Sequence, residues 1–337
     1  MNFPDFLMAY KWKQWIRLLS VNLNSNPMKF SKIPFAFLAL VLMAMQFSAI
    51  ASSIDADPYL TKQFTLNGSG NLKVETSGAS VAVTGASGNE VIVDMYVKLN
   101  GREVEMEGPE VERELENYDL DISQSGNTIS VIVKKRNNSG RSKLNISFKV
   151  QVPKEMSSKM LSSGGSISFD GVAGNQEVAT SGGSIQIVNS SGNVETKSSG
   201  GSFRVENFDG DIDVQTSGGS IKVYDLRGDL NVSTSGGSVN LEQINGSISA
   251  NTSGGSIRAQ LSNLEKALTM KSSGGSITAV VPDGLGLDLD LSGGRVNSKL
   301  SNFSGEVKKD RTLGKINGGG IPVTMQSSGG SINLEFN

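Results

Sequence analysis

A Ser-Gly-Gly-Ser motif recurs through the middle of the chain at a fixed interval. It begins at Ser163, Ser181, Ser199, Ser217, Ser235 and Ser253, and each step is 18 residues long. A short fixed period is typical of a solenoid, in which every repeat forms one coil that stacks on the next. No other feature constrains the fold as strongly, because it predicts one column of superposed coils over residues 163–252.

Within each coil, the apolar residues follow the period of a β-strand. With Ser217 as position 1, positions 5, 7, 10, 14 and 16 hold Ile221, Val223, Leu226, Leu230 and Val232. The neighbouring coils, 199–216 and 235–252, carry apolar side chains at the same positions. A spacing of two buries one face of a strand and exposes the other. Glycine at position 12 marks one bend, because glycine reaches positive φ without a Cβ clash, and the paired glycines at positions 2 and 3 mark the other corner.

Each coil is therefore predicted to hold two short strands and two tight bends. Identical bends make equivalent strands run in the same direction, so the fold class is all-β: a parallel, β-helix-like solenoid with rungs about 4.8 Å apart. Four coils end in an inward-facing threonine at position 18: Thr180, Thr216, Thr234 and Thr252. With the serines at positions 1 and 4, these hydroxyls are predicted to form ladders between rungs at the Gly-Gly corner. The alternative is a hydroxyl-lined strip for a ligand.

Composition narrows the chemistry that is open to the chain. Its 337 residues have a formal net charge of −2 and include no Cys and no His. The balanced charge gives no electrostatic reason to expect nucleic acid as a partner. Without Cys and His there can be no disulfide, thiolate nucleophile, Ser-His-Asp triad or His-ligated metal. We therefore predict no cofactor and no metal site.

The N-terminal residues carry the pattern of an export signal. A basic stretch at 28–32 precedes a largely apolar run at 33–47, and an Ala-Ile-Ala cleavage pattern follows at 49–51. Residues 1–51 are thus predicted to be an extension plus a signal peptide, and Met1 and Met28 are both candidate starts. The alternative is an uncleaved anchor, because the apolar run approaches spanning length. The protein is expected to be exported to the periplasm, the cell surface or the medium, with membrane contact only through this segment.

Residues 52–337 are predicted to form a single β-solenoid domain. Residues 59–93 already follow the coil template, whereas 94–160 break the period while keeping strand-like alternation in several stretches. The segment 94–160 is interpreted as an irregular β and loop insertion that caps the N-terminal end, since a terminal unit must hide its open edge. The period loosens again after Ser253, and 298–318 is polar and irregular.

Three stretches resemble the bacterial putative-adhesin β-strand-repeat family, a domain of unknown function. They are GNLKVETSGASVAVTGASGNEVIVDMYV at 70–97, VQVPKEM at 150–156, and the coils of form SGGSI…G-[ND]…T. The resemblance covers about residues 59–337. It implies an exported, right-handed β-helix-like solenoid, and it brings no catalytic motif to carry over.

Candidate ligand-binding residues lie at outward positions of the coils. Arg204, Lys222 and Arg258 share position 6 of three coils, and Tyr224 is a rare outward aromatic residue. This thin basic stripe could meet an acidic glycan or a lipid headgroup, and the alternative is a merely soluble sheet face.

An acidic group is the second candidate on the outward surface. Asp209, Asp211 and Asp213 look like a calcium cluster, but calcium needs six to eight converging oxygens. Asp211 and Asp213 are therefore interpreted as a solvated strand face that could contribute to ligand binding.

Two classes of function remain open from the sequence. The first is a non-enzymatic, adhesin-like binding or scaffold module of the cell surface or envelope, with a glycan or another surface protein as partner; a purely structural spacer is its simplest form. The second is a carbohydrate-active β-helix enzyme that uses surface carboxylates. Asp288 and Asp290 lie two apart on one strand face, and glycoside hydrolysis needs two carboxylates about 5–9.5 Å apart.

Overall fold

The computed structural model describes residues 57–103, 108–136 and 143–337. The predicted export segment at 1–51 lies outside the described residues. Contacts separate Ala56–Asn337 as one compact unit. Within the described ranges the chain forms 26 strands and one short helix. That helix is too short to cross a membrane, and the described residues contain no other candidate span.

The strands are β1 (Leu60–Thr65), β2 (Gly70–Thr76), β3 (Ser80–Ala86), β4 (Glu90–Leu99), β5 (Arg102–Glu103), β6 (Tyr118–Ser125), β7 (Thr128–Lys135), β8 (Leu144–Pro153), β9 (Met156–Ser162), β10 (Ile167–Asp170), β11 (Ala173–Thr180), β12 (Ile185–Ser198), β13 (Phe203–Thr216), β14 (Ile221–Arg227), β15 (Leu230–Thr234), β16 (Val239–Asn245), β17 (Ile248–Thr252), β18 (Ile257–Asn263), β19 (Leu268–Ser272), β20 (Ile277–Val281), β21 (Leu287–Ser292), β22 (Arg295–Ser298), β23 (Phe303–Val307), β24 (Arg311–Ile316), β25 (Ile321–Ser327) and β26 (Ser331–Phe336). The helix, α1, spans Pro109–Leu115.

Strand pairing divides the molecule into two stacks. The front stack holds the first strand of each coil, in the order β1-β4-β8-β3-β10-β12-β13-β14-β16-β18-β20-β26-β22. The back stack holds the second strand, in the order β6-β7-β2-β9-β11-β12-β13-β15-β17-β19-β25-β21-β24-β23. Strands β12 and β13 run round the bend and contribute to both stacks.

Equivalent residues of successive coils lie in register, as the repeat predicts. Ile221 pairs in parallel with Phe203 on one side and Val239 on the other. Leu230 pairs with its counterparts one coil away in the same manner. The apolar side chains at the inward positions are at most 2% exposed from Ile221 through Ala250. The prediction of a parallel β-solenoid with 18-residue coils and an N-terminal β cap is confirmed.

The position-18 hydroxyls link the coils through the Gly-Gly corner. Thr234 Oγ1 donates to the carbonyl of Gly219 at 3.2 Å and accepts from the N–H of Gly237 at 3.2 Å. Thr252 repeats this pattern one coil further, with Gly237 at 3.0 Å and Gly255 at 3.2 Å. The predicted ladder between rungs is thus confirmed for position 18. The serines at positions 1 and 4 of the coils 181–252 are exposed and take no part in it, which corrects that part of the prediction.

The bend opposite the Gly-Gly corner differs from the sequence prediction. Position 12 is a positive-φ glycine as expected, with φ of 140° at Gly228. A second left-handed residue occurs three positions earlier, at Asn189, Asn207, Asp225 and Gln243, with φ between 49° and 57°. Asn and Asp tolerate this region better than most residues because their short polar side chains bond locally. The turn is therefore shared between two positions, where the sequence predicted one.

Spatial order departs from chain order at both ends of the solenoid. The rung of β2 and β3 lies inside the stack, because β7 and β8 return outside it. At the other end, β25 and β26 insert between the rung of β19 and β20 and the rung of β21 and β22. An antiparallel pair, β23 and β24, completes the back stack. The first and last coils in the sequence are thus covered by neighbouring strands.

Candidate functional site

The sequence-predicted cations and tyrosine meet on the outward face of the front stack. Arg204 on β13 lies beside Lys222 on β14, since they are register partners. Tyr224 projects from the same strand two residues after Lys222, and its side chain is 46% exposed. These three residues line one shallow depression of about 560 Å³, which we call the front depression.

Two carboxylates flank the tyrosine within the front depression. Glu206 and Glu242 are its register partners on the neighbouring strands. Arg204 forms an ion pair with Glu206, whereas Lys222 has no ion-pair partner among the described residues. Sequence reasoning missed both glutamates, although the 18-residue spacing that aligned the cations also aligns position 8. The depression therefore offers one flat aromatic ring, one paired cation and one available cation.

Arg258 lies in the same column but outside the depression. Asn240 separates it from Lys222, because Lys222, Asn240 and Arg258 are successive register partners. The predicted stripe of cations is therefore interrupted by one uncharged coil. Its two halves can act on one ligand only if that ligand extends across three coils.

Asp211 and Asp213 lie elsewhere, on the outward face of the back stack. They line an open groove of about 1210 Å³ that follows the outward side chains of eight successive rungs, from Asn71 and Lys73 to Ala267 and Thr269. Asp211 accepts a hydrogen bond from the backbone N–H of Asp229 at 2.9 Å. Asp213 accepts from Asn231 Nδ2 at 2.8 Å and from Gln215 Nε2 at 3.4 Å. The structure therefore separates these two residues from the front depression.

The other acids of the back groove are held by lysines. Asp229 pairs with Lys266 at 2.8 Å, and this hydrogen bond lowers the pKa of the Asp229 carboxyl and raises that of Lys266. Glu195 pairs with Lys197 at 2.7 Å, which lowers the pKa of Glu195. Within the described residues, no three acidic side chains converge as a metal ion would require. The groove is an ion-paired polar surface.

The two carboxylates proposed for hydrolysis lie on β21, beside the returning strand β24. Asp290 is 3.6 Å from Arg311, and Asp288 is 3.6 Å from Lys315. Asp288 Oδ2 also accepts the N–H of Gly320 at 3.2 Å, while its Oδ1 is buried without a hydrogen-bond partner. Each carboxylate thus has its own cation, so both are arranged as structural ion pairs of the C-terminal cap.

The fold and these surfaces define a class of protein: a capped parallel β-solenoid with two long, polar, register-aligned faces. The chain belongs to the Toastrack DUF4097 family, whose model matches residues 71–335. This confirms the resemblance drawn from the motifs at 70–97 and 150–156. No curated protein matches the chain in sequence.

Several solved structures are similar over most of their length. A "putative adhesin" from Parabacteroides merdae is 12% identical with a TM-score of 0.41, covering 82% of this chain and 95% of that chain. Another "putative adhesin", from Bacteroides fragilis, is 13% identical with a TM-score of 0.39, covering 82% and 96%. A "putative lipid binding protein" from Parabacteroides distasonis is 14% identical with a TM-score of 0.33, covering 84% and 96%. Membership of the family rests on the family match alone.

Proposed function

We propose that the chain is an exported, non-enzymatic binding and scaffold module of the cell surface or envelope, and that an acidic glycan binds its front face. In this proposal residues 1–51 direct export and residues 52–337 form the solenoid domain. The observation that carries the proposal is the front depression, where Tyr224 lies exposed beside Lys222 and Arg204. An aromatic ring supplies a flat apolar surface for a sugar ring, and the available cation, Lys222, suits a carboxylate or sulfate.

Rigidity supports this choice of surface. The strands beneath the depression are hydrogen-bonded in register on both sides, and Val205 and Val223 hold them to the core at 1% and 2% exposure. A preorganised surface loses little conformational freedom on binding. A polymer with repeated charges can also engage Arg258 two coils away, so that several weak contacts act together.

Hydrolysis by Asp288 and Asp290 is the less favoured candidate, because each carboxylate is already paired with a cation of β24. Its test is simple. We expect the purified protein to release no new reducing ends from a panel of polysaccharides. Release that is lost in both Asp288→Asn and Asp290→Asn would replace the binding proposal with a catalytic one.

The binding proposal is tested by measuring retention of the protein on immobilised glycans. Variants of the front face are compared with a variant of the back face. Tyr224→Ala and Lys222→Gln should each weaken retention on acidic glycans about tenfold, the effect of losing about 1.4 kcal/mol. The matched control is Asp213→Asn, which changes an exposed side chain of the back groove and should leave retention unchanged. Equal retention of all three variants, or no retention of the unaltered protein on any acidic glycan, would contradict the proposal.

A further inference from the structure

The two ends of the solenoid have complementary steps, because at each end one stack extends beyond the other. Beyond the rung of β9 and β10, the front stack adds four strands at the N-terminal end, and the back stack adds three. Beyond the rung of β19 and β20, the front stack adds two strands, and the back stack adds four. The front stack therefore projects at one end and the back stack at the other.

The projecting back stack exposes a core-facing apolar side chain. Val307 on β23 pairs with Thr312, which pairs with Leu291, so all three lie on the core side of the stack. Thr312 is 1% exposed and Leu291 is fully buried, yet Val307 is 62% exposed. Phe303, on the same strand and the same side, is only partly buried. The front stack ends before this level, so nothing in the described chain covers Val307.

The strand directions at the two ends are compatible. Strand β23 runs in the direction of the parallel array, because it is antiparallel to β24, which is antiparallel to β21. Strand β6 runs against the array, because it is antiparallel to β7. Two copies stacked along one axis would therefore bring β23 and β6 together antiparallel, the more stable arrangement. Lys62 Nζ already donates a hydrogen bond to the Ile122 carbonyl of β6 at 2.7 Å. Pairing of β6 with β23 of another copy would therefore use the other backbone groups of β6.

The N-terminal end is acidic. Residues 109–125, which form α1 and β6, contain six acids and one arginine, a net charge of 1 − 6 = −5. Val111 of α1 is 2% exposed and attaches the helix to the core, while Glu112 and Glu116 face solvent. Burial and the nearby charge of Glu112 raise the pKa of Tyr59. Lys143 lies 3.1 Å from Glu114 and Arg136 lies 2.7 Å from Asp119, so these two cations neutralise part of this charge.

The C-terminal end is basic. Residues 295–315 contain six lysines and arginines and two acids, a net charge of 6 − 2 = +4. Asp288 and Asp290 pair with two of these cations, and Glu306 pairs with a third, Lys308, at 2.6 Å. Lys309 has no ion pair among the described residues. Its backbone carbonyl accepts a hydrogen bond from the N–H of Val296 at 2.9 Å, and this bond holds Lys309 beside β22. The available positive charge therefore lies at the tip of the front stack.

We propose that copies of this chain stack head to tail, with the basic C-terminal step of one copy seated on the acidic N-terminal end of the next. The second copy covers Val307 and places Glu112 and Glu116 against Lys309 and its neighbours. Such a contact joins two different surfaces, so it repeats along the axis and builds a filament instead of a closed dimer. This inference does not depend on the ligand of the front face.

Head-to-tail stacking is tested by measuring the molar mass of the purified protein by sedimentation. The protein is purified from the cells that produce it. The unaltered protein should form a concentration-dependent series of oligomers, and raising the salt concentration should shorten that series because it screens the charges. Val307→Asn with Lys309→Gln blocks the C-terminal end, and Glu112→Lys with Glu116→Lys blocks the N-terminal end. Each blocked variant alone should be monomeric, with association weakened at least tenfold. Lys222→Glu, in the middle of the front face, is the control and should keep the oligomer series.

Mixing the two blocked variants separates this model from the alternatives. Each retains one intact end, so the mixture should form dimers and nothing larger. A symmetric contact would instead allow one blocked variant to dimerise alone, and that result would overturn the proposal. A monomeric unaltered protein at every concentration would do the same. If the Val307 variant does not fold, the single changes Lys309→Gln and Glu116→Lys provide the same comparison, since both side chains are exposed.

Discussion

Replacing Gly219 by alanine tests how closely the coils approach at the Gly-Gly corner. A Cβ at Gly219 would lie closer than 3.0 Å to the carbonyl carbon and oxygen of Gly201 and to the nitrogen of Ser202. These are backbone atoms of the preceding coil, so they cannot move aside as a flexible side chain could. A Cβ at the adjacent Gly218 would instead meet its nearest neighbour at 3.8 Å, an ordinary contact.

The two substitutions should therefore differ sharply although they are adjacent. Gly219→Ala adds overpacking strain of about 1–3 kcal/mol, and it disturbs two hydrogen bonds to the corner threonines worth about 0.5–1.5 kcal/mol each. We expect a loss of about 2–6 kcal/mol in the free energy of unfolding. Gly218 does not have positive φ, so Gly218→Ala should change stability by less than about 1 kcal/mol.

Urea unfolding followed by circular dichroism measures this difference, with both variants and the unaltered protein under the same conditions. The urea midpoint of Gly219→Ala should fall well below that of Gly218→Ala, with hydrogen-exchange protection lost first in β13 and β14. Equal midpoints would refute the reasoning, because they would mean that the coils are not in backbone contact at this corner.

Three further predictions concern single side chains. Thr234→Val removes the hydroxyl that bridges two coils and should cost about 1–3 kcal/mol by thermal or urea unfolding, whereas Thr234→Ser should retain most of the stability. Gln176, 3% exposed, bonds with the Ser158 hydroxyl, so Gln176→Leu should destabilise by about 1–3 kcal/mol, and adding Ser158→Ala should recover part of the loss. Hydrogen bonds from Lys134 and Lys73 lower the pKa of Glu75, so its contribution is present above the pKa of an unfolded glutamate and is lost as the pH falls below it. Glu75→Gln should therefore flatten the acid side of a stability-against-pH curve.

The middle of the fold could be predicted because one period fixes three properties together. The 18-residue step sets which residues are buried, which bend, and which lie beside one another in neighbouring coils. The same step placed Arg204 next to Lys222, and the structure brings both together with Tyr224. The bend at position 9 was missed because Asn, Asp and Gln alternate there and no single residue type marks it.

The ends could not be predicted because they have no period. Nothing in the local sequence of 287–298 indicates that the later coil 321–336 inserts before it in space. The ion pairs of Asp288 and Asp290 depend on that arrangement, since Lys315 and Arg311 come from a strand that returns antiparallel. The spatial order of distant strands depends on which sheet edges must be covered by another strand. That requirement is a property of the whole stack and not of a local sequence.

Engineered disulfides test the stacking of the coils most directly, because the chain contains no cysteine of its own. Ser233 and Asn251 are register partners on β15 and β17, so their Cα atoms should lie about 4.8 Å apart, within the range that a disulfide spans. Ser249 pairs with Asn231, two residues before Ser233, and should lie roughly 8 Å from Ser233, beyond that range. Ser233→Cys with Asn251→Cys should therefore oxidise to a disulfide in the folded protein, and Ser233→Cys with Ser249→Cys should not. The reverse pattern, or no disulfide in either variant, would contradict an in-register parallel stack.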